Sequence, residues 1–189
     1  MAHRISISGG ACLLLALMLL FLPLQWVAAA LLAAAVHEAG HLAAIFLLGG
    51  HVHGVEIGMR GALIRVGEMG RGAELACALA GPLAGASMLL FAGTAPRLAL
   101  CALIHTAYNL LPMYPLDGGR VLACAAALLW QPLMAQRVCR WVAMLCGCAL
   151  LVFGIWLWWH LGMGILPLVG TILVIYRSIA EKFLAKRRN

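Results

Sequence analysis

The sequence predicts an all-α polytopic membrane protein of about six transmembrane helices, with a short membrane-associated β-hairpin after the second of them. Three observations predict it. Of 189 residues, 65% are hydrophobic and 10% charged, with mean hydropathy +1.04, which suits a bilayer better than a soluble globule. Apolar runs recur at lengths near the roughly 20 residues that a helix needs to cross the hydrocarbon. One stretch between them, His51 to Gly67, is broken by glycines and patterned as short strands.

The expected spans cover residues 10–22, 25–48, 73–93, 97–130 with a break, 139–159 and 163–180. The first has the basic start and short apolar run of a signal peptide. However, Leu22-Pro23-Leu24 leads straight into the next run with no clear cleavage site, so it is expected to be retained. Gly49-Gly50 closes the second span, and Gly70 closes the segment that follows it. Between them Val52, Val55 and Ile57, then Ala62 to Val66, flank a turn at Arg60-Gly61 and give the hairpin. The fourth span must be interrupted where Pro112, Pro115 and Gly118-Gly119 fall. Irregular backbone at that depth is tolerated only where protein buries it or where it lines a wet cavity.

Charge sets the orientation. Six crossings with the N-terminus in the cytosol place Arg4, Arg60, Arg65, Arg71, Arg137, Arg140, Arg177, Lys182, Lys186, Arg187 and Arg188 on the cytosolic side, with Arg97 opposite. This asymmetry follows the positive-inside rule, so the net charge of +7 needs no nucleic acid to explain it. The cluster from Lys182 to Arg188 is a topology anchor with anionic lipid contact. Both termini are expected in the cytosol, on a multi-pass protein of a bacterial cell membrane.

Of the six acidic residues, Glu56, Glu68, Glu74 and Glu181 fall in loops or at span ends, which leaves Glu38 and Asp117 at membrane depth. Glu38 belongs to His37-Glu38-Ala39-Gly40-His41, an H-E-x-x-H motif inside the second span. Ionisable groups are costly there and mark function. On a helix, residues i and i+4 share a face, so both imidazoles can reach one zinc ion. Glu38 stands beside them, able to take a proton from water at the metal, the part this motif's glutamate plays in hydrolytic sites. A catalytic zinc usually has three protein ligands, and Asp117 is the natural third.

Together, H-E-x-x-H and, two crossings later, Asn109-Leu110-Leu111-Pro112-Met113-Tyr114-Pro115-Leu116-Asp117-Gly118-Gly119 resemble the site-2 proteases, which are intramembrane zinc metalloproteases. The likeness spans about residues 25–130 and is strongest to the bacterial branch that matures a sporulation sigma factor. It implies one zinc ion on His37, His41 and Asp117, with Glu38 as catalytic acid/base. It also implies that Asn109 holds or polarises the substrate backbone. The substrate would be a membrane protein or a membrane-tethered precursor, cut within or near its transmembrane segment, as in sigma-factor or anti-sigma-factor processing. A third match, Gly81-Pro82-Leu83-Ala84-Gly85, lies where such proteins often carry G-P-x-x-N. Glycine at 85 removes the polar side chain and keeps the close approach that small residues allow. In the family a β-loop follows the first motif, and its edge could capture an unwound substrate segment by strand addition. Neither a PDZ-like nor a CBS domain is expected, so residues 1–189 form one metalloprotease domain, with the core at about 25–130 and C-terminal helices at about 139–180.

Two other readings stay open: a divalent-metal transporter, because His and Asp at a broken helix also describe an ion path, and a catalytically silent zinc-binding scaffold. Homo-oligomerisation is left open too. His105, one turn before Asn109, is read as an interior residue, His51 and His53 as lining one face of a strand, and Gly40 as a packing glycine. The seven cysteines lack any C-x-x-C and read as small hydrophobes. Trp141, Trp156, Trp158 and Trp159 read as interfacial belts.

Overall fold

Proline and glycine set the element boundaries. The computed structural model describes residues 4–58, 61–161, 169, 171–173, 175 and 176. Strand β1 (Arg4–Ile7) leads into helix α1 (Gly9–Phe21), whose first turn is capped by the Ser8 hydroxyl accepting from the Ala11 amide at 3.3 Å. Leu22 is extended because it precedes Pro23, and Pro23 in turn opens α2 (Leu24–Leu47). At the far end Gly49 takes φ +73°, and the amides of Gly49 and Gly50 donate to Phe46 and Ile45, a Schellman closure that turns the chain out of the helix.

Strands β2 (Val52–Gly58) and β3 (Gly61–Val66) then pair antiparallel, with Val55 opposite Ile64 and Gly58 opposite Gly61. The expected hairpin is therefore present, with Gly61 at φ +105° on the far side of its turn. Arg60 lies outside the described residues. Arg65 donates to Glu56 at 3.1 Å across the exposed face. The sheet has a third strand that the sequence reading lacked: β1 pairs parallel with β2, Ile5 opposite Val55, in the order β1-β2-β3. The outer edge of β3 is the sheet's only hairpin edge without a neighbouring strand among the described residues.

Helix α3 (Arg71–Ser87) continues as a 3-10 turn over Met88–Phe91, and α4 follows (Pro96–Asn109). After the non-helical segment 110–116 come α5 (Asp117–Leu129) and α6 (Pro132–Leu161). The break expected in the fourth span thus falls on the two prolines. Among the described residues, three helical stretches are long and apolar enough to cross a membrane: Leu24–Leu47, Arg71–Phe91 and Pro132–His160. At about 1.5 Å per residue, α1, α4 and α5 each reach only about 20 Å, short of a hydrocarbon core of about 30 Å. The expected first crossing and the two arms of the fourth are therefore short helices, and the expected span 163–180 falls largely outside the described residues.

The chain divides into two compact units, Met1–Asn109 and Leu110–Asn189. In the first, α2 packs on α3 and α4 through a buried stripe, Ala29, Ala33, His37, His41 and Ile45, at the four-residue spacing of one helix face, with Val27 buried beside it. The facing surfaces are built of small residues: Cys77, Ala78, Gly81 and Gly85 on α3, and Ala99, Ala102 and Thr106 on α4. A Cβ at Gly40 would stand 2.6 Å from the Ala80 carbonyl oxygen and from the Ala84 methyl, so Gly40 is the packing glycine expected of it. Large apolar side chains point outward instead, as on a lipid-facing surface; Leu47 and Leu90 are both 86% exposed. In the second unit α5 packs on α6. The loop before α5 lies so close to its first turn that a Cβ at Gly118 would collide with the Leu110 carbonyl, and one at Gly119 would come within 2.5 Å of the Met113 carbonyl carbon. The seven cysteines form no disulfides.

Candidate metal centre

Helical spacing alone puts His37 and His41 on one face, and the stripe they share puts them in the packed interior, 1% and 7% exposed. Their Nε2 atoms stand 3.1 Å apart, and the rings meet edge to face with centroids 4.8 Å apart. The Cys77 carbonyl oxygen lies 2.7 Å from His41 Nδ1. A carbonyl can only accept, so Nδ1 carries the hydrogen and Nε2 presents its lone pair toward His37. That is the ligand form of imidazole, fixed by a backbone acceptor as in many zinc sites. Ligands at about 2.0–2.1 Å from a tetrahedral zinc ion sit about 3.3 Å from one another, so the nitrogen separation fits two positions on such an ion.

Room for the His41 ring comes from α3. A Cβ at Gly81 would collide with His41 Nε2 and come within 2.5 Å of its Cε1, so no other residue fits there without moving the imidazole. One turn on, a Cβ at Gly85 would lie 3.6 Å from His37 Nδ1. Pro82, between them, cannot donate the amide bond that would close the helix turn onto Ala78. The glycines of the G-P-x-x-x segment therefore do more than let helices approach. They make the space that the two rings occupy.

His105, expected as an interior residue, packs its ring edge-on against His37 with centroids 4.8 Å apart, so three imidazoles stack in a row. Asn109, the last residue of α4, donates its side-chain amide to the His105 carbonyl at 3.0 Å and is half-buried. Glu38 is half-buried and, one residue past His37, sits about 100° round the helix from it. In the second unit Asp117 is buried, 7% exposed, as the first residue of α5. His51 and His53 are exposed and line a cavity of about 410 Å³ with Glu68 and Met69, apart from this group.

Three parts of the site carried little signal in the sequence. The Cys77 acceptor is a backbone atom that any residue would supply. Gly81 stood out in the sequence only as a packing residue, and Thr106, beside Gly85, is a single hydroxyl in an apolar helix.

No family model matches the chain, and no curated protein matches it. Among solved structures it is similar to the site-2 protease from Methanocaldococcus jannaschii, with TM-score 0.63 and 19% identity, over 90% of this chain and 85% of that one. At that identity the likeness is one of architecture, and it is the same architecture that the two sequence motifs imply: this chain has the fold of a site-2 protease.

Proposed function

We propose that this chain is an intramembrane zinc metalloprotease that hydrolyses a peptide bond in or near the transmembrane segment of a membrane protein or membrane-tethered precursor. The observation that carries the reading is the buried His37/His41 pair, Nε2 to Nε2 at 3.1 Å, with His41 held in its ligand tautomer by Cys77. His37, His41 and Asp117 are the three that would hold the ion; all are buried, and each offers one ligand atom. Zinc, when bound, supplies a Lewis acid that brings the acidity of water near neutrality and polarises a carbonyl. Glu38 accepts the proton of the attacking water and returns it to the leaving amine. Asn109 holds the substrate carbonyl through its side-chain amide, giving up its bond to the His105 carbonyl or using its second N–H. The free edge of β3 is suited to hold the substrate segment extended, because a peptide bond inside a helix is shielded from attack. A sigma-factor-type precursor is the substrate class to which the Pro115 to Gly119 likeness points.

The arrangement in the membrane is part of the same proposal. It comprises about six crossings, with both termini and the basic loops cytosolic. Parallel pairing of β1 with β2 supports one piece of it, since strands hydrogen-bonded to each other lie on the same side of the bilayer. A single cysteine introduced near Ile45, at an exposed position of the same helix end, should then be labelled from the cytosolic face.

Glu38→Gln tests the reading. A protease loses cleavage of a membrane substrate by at least about a thousandfold, while one zinc per chain and expression are retained. Unchanged cleavage, or function that persists without cleavage, would point instead to a scaffold, and zinc flux unaffected by the substitution to a transporter.

A further inference from the structure

Between Arg97 and Arg137 the chain carries only two charged residues, Asp117 and Arg120, and they stand three apart in the first turn of α5. Opposite charges at that spacing have Cβ atoms about 5–6 Å apart and commonly pair. Here they go separate ways. Asp117 is buried, whereas Arg120 is exposed, and its guanidinium makes no ion pair or hydrogen bond with any described residue. The stretch that follows it, Val121 to Leu129, holds no charge and no hydroxyl or amide side chain. A guanidinium kept without a partner in so apolar a setting is costly, and such residues mark function. A lipid phosphate at the far end of α5 does not suit it. Leu129, the last residue of α5, lies about 13 Å further along the helix axis, and the Cα–Cβ bond of Arg120 tilts the other way, toward Asp117.

We propose that Arg120 is a specificity-determining residue that selects substrates carrying an Asp or Glu close to the bond that is cut. This rests on the metalloprotease reading above and names a substrate feature which that reading leaves open. With the Asp117 carboxylate committed to the metal, the positive charge one turn further along α5 is free for an anion brought by the substrate. A carboxylate suits the guanidinium best, because the planar fork can donate to both of its oxygens at once. An extended chain rises about 3.3 Å per residue, so a group this close to the metal ligand meets a substrate residue about two to four positions from the scissile bond. Paired in this way, an acidic side chain in an apolar substrate segment also loses the penalty it carries alone, so the same contact favours the right substrate and disfavours one with Lys or Arg at that place.

The test is a cleavage profile. The full chain in proteoliposomes is given a library of single-span membrane reporters randomised across the apolar segment, and the cut members are sequenced to place each residue relative to the broken bond. Wild type should enrich Asp or Glu over Asn or Gln at one fixed offset by about tenfold or more, the worth of a charged hydrogen bond. Arg120→Gln should reduce that preference to within about twofold, and Arg120→Glu should enrich Lys or Arg at the same offset. Zinc content should stay at the wild-type level in both. No acidic preference in wild type overturns the proposal, as does the same preference in Arg120→Gln. Loss of zinc in Arg120→Gln also overturns it, since Arg120 would then serve Asp117 and not the substrate. If these variants do not fold, Arg120→Lys decides: a weaker acidic preference at the same offset supports the proposal, and an unchanged profile overturns it. Cleavage that responds to anionic lipid and not to substrate charge would assign the guanidinium to a phosphate and overturn it too. A wild-type chain that holds zinc and cuts no reporter would remove the protease reading itself, whereas cutting without regard to charge would remove only the role of Arg120.

Discussion

Helices α2 and α6 are both long and apolar enough to cross a membrane, yet their faces are used in opposite ways. Along α2, Ala29, Ala33, His37, His41 and Ile45 form a buried stripe, and Leu31, Leu32, Phe46 and Leu47 point outward. Helix α6, at 30 residues, buries mainly small positions, Ala135, Gly147 and Gly154, and exposes Trp141, Leu145, Phe153 and Trp159. Hydropathy is common to the two and so says only that both suit a bilayer. The difference lies in their neighbours. An imidazole can be enclosed beside α2 because Gly81 and Gly85 of α3 lack the side chains that would exclude it. Apolar length marks a membrane helix, and facing glycines mark where polar chemistry can be housed.

The comparison is broken most severely by Gly81→Ala. Its methyl would occupy the volume of the His41 ring, so zinc affinity should fall by at least about a hundredfold and cleavage with it, at the upper end of what supporting residues contribute. Chelator competition reads the first and a membrane-substrate assay the second. Zinc binding at wild-type strength would show that the ring has another place to go.

Much of this was legible beforehand for identifiable reasons. His37, Glu38 and His41 combine ionisable chemistry with helical spacing inside an apolar run, and Asp117 follows two prolines that no continuous helix accepts. The hairpin was readable because Gly49, Gly50 and Gly70 bracket it. Strand β1 was not, since four residues are too few to show a pattern and their partner is some 50 residues away, Ile5 opposite Val55. Helix ends were misjudged for a similar reason. An apolar run shows that a segment is buried in something, but where Leu22-Pro23 or 110–116 ends the helix depends on local backbone. The roles of Cys77 and Gly81 depend on which helix faces which, and no single-chain periodicity encodes that.

Asn109→Ala sharpens the division between holding metal and handling substrate. A residue that steadies the reacting carbonyl is worth about 10²–10³ in turnover, and zinc should stay within about twofold of wild type. If expression and zinc fall together, its bond to the His105 carbonyl is what matters. The smallest effect is expected on the lipid-facing side. Leu145→Ala, at a position 64% exposed, should change thermal stability by no more than about 0.5 kcal/mol and leave zinc and cleavage unaltered. A clear loss of zinc there would mean that α6 contributes to the centre after all.

X-ray absorption at the zinc edge of the purified chain tests the coordination most directly. Two imidazole nitrogens at about 2.0–2.1 Å with oxygen completing the shell, and the spectrum altered in Asp117→Asn, are the expected result. A sulfur shell near about 2.3 Å, recruited from the seven cysteines, or a chain purified without zinc, would contradict it.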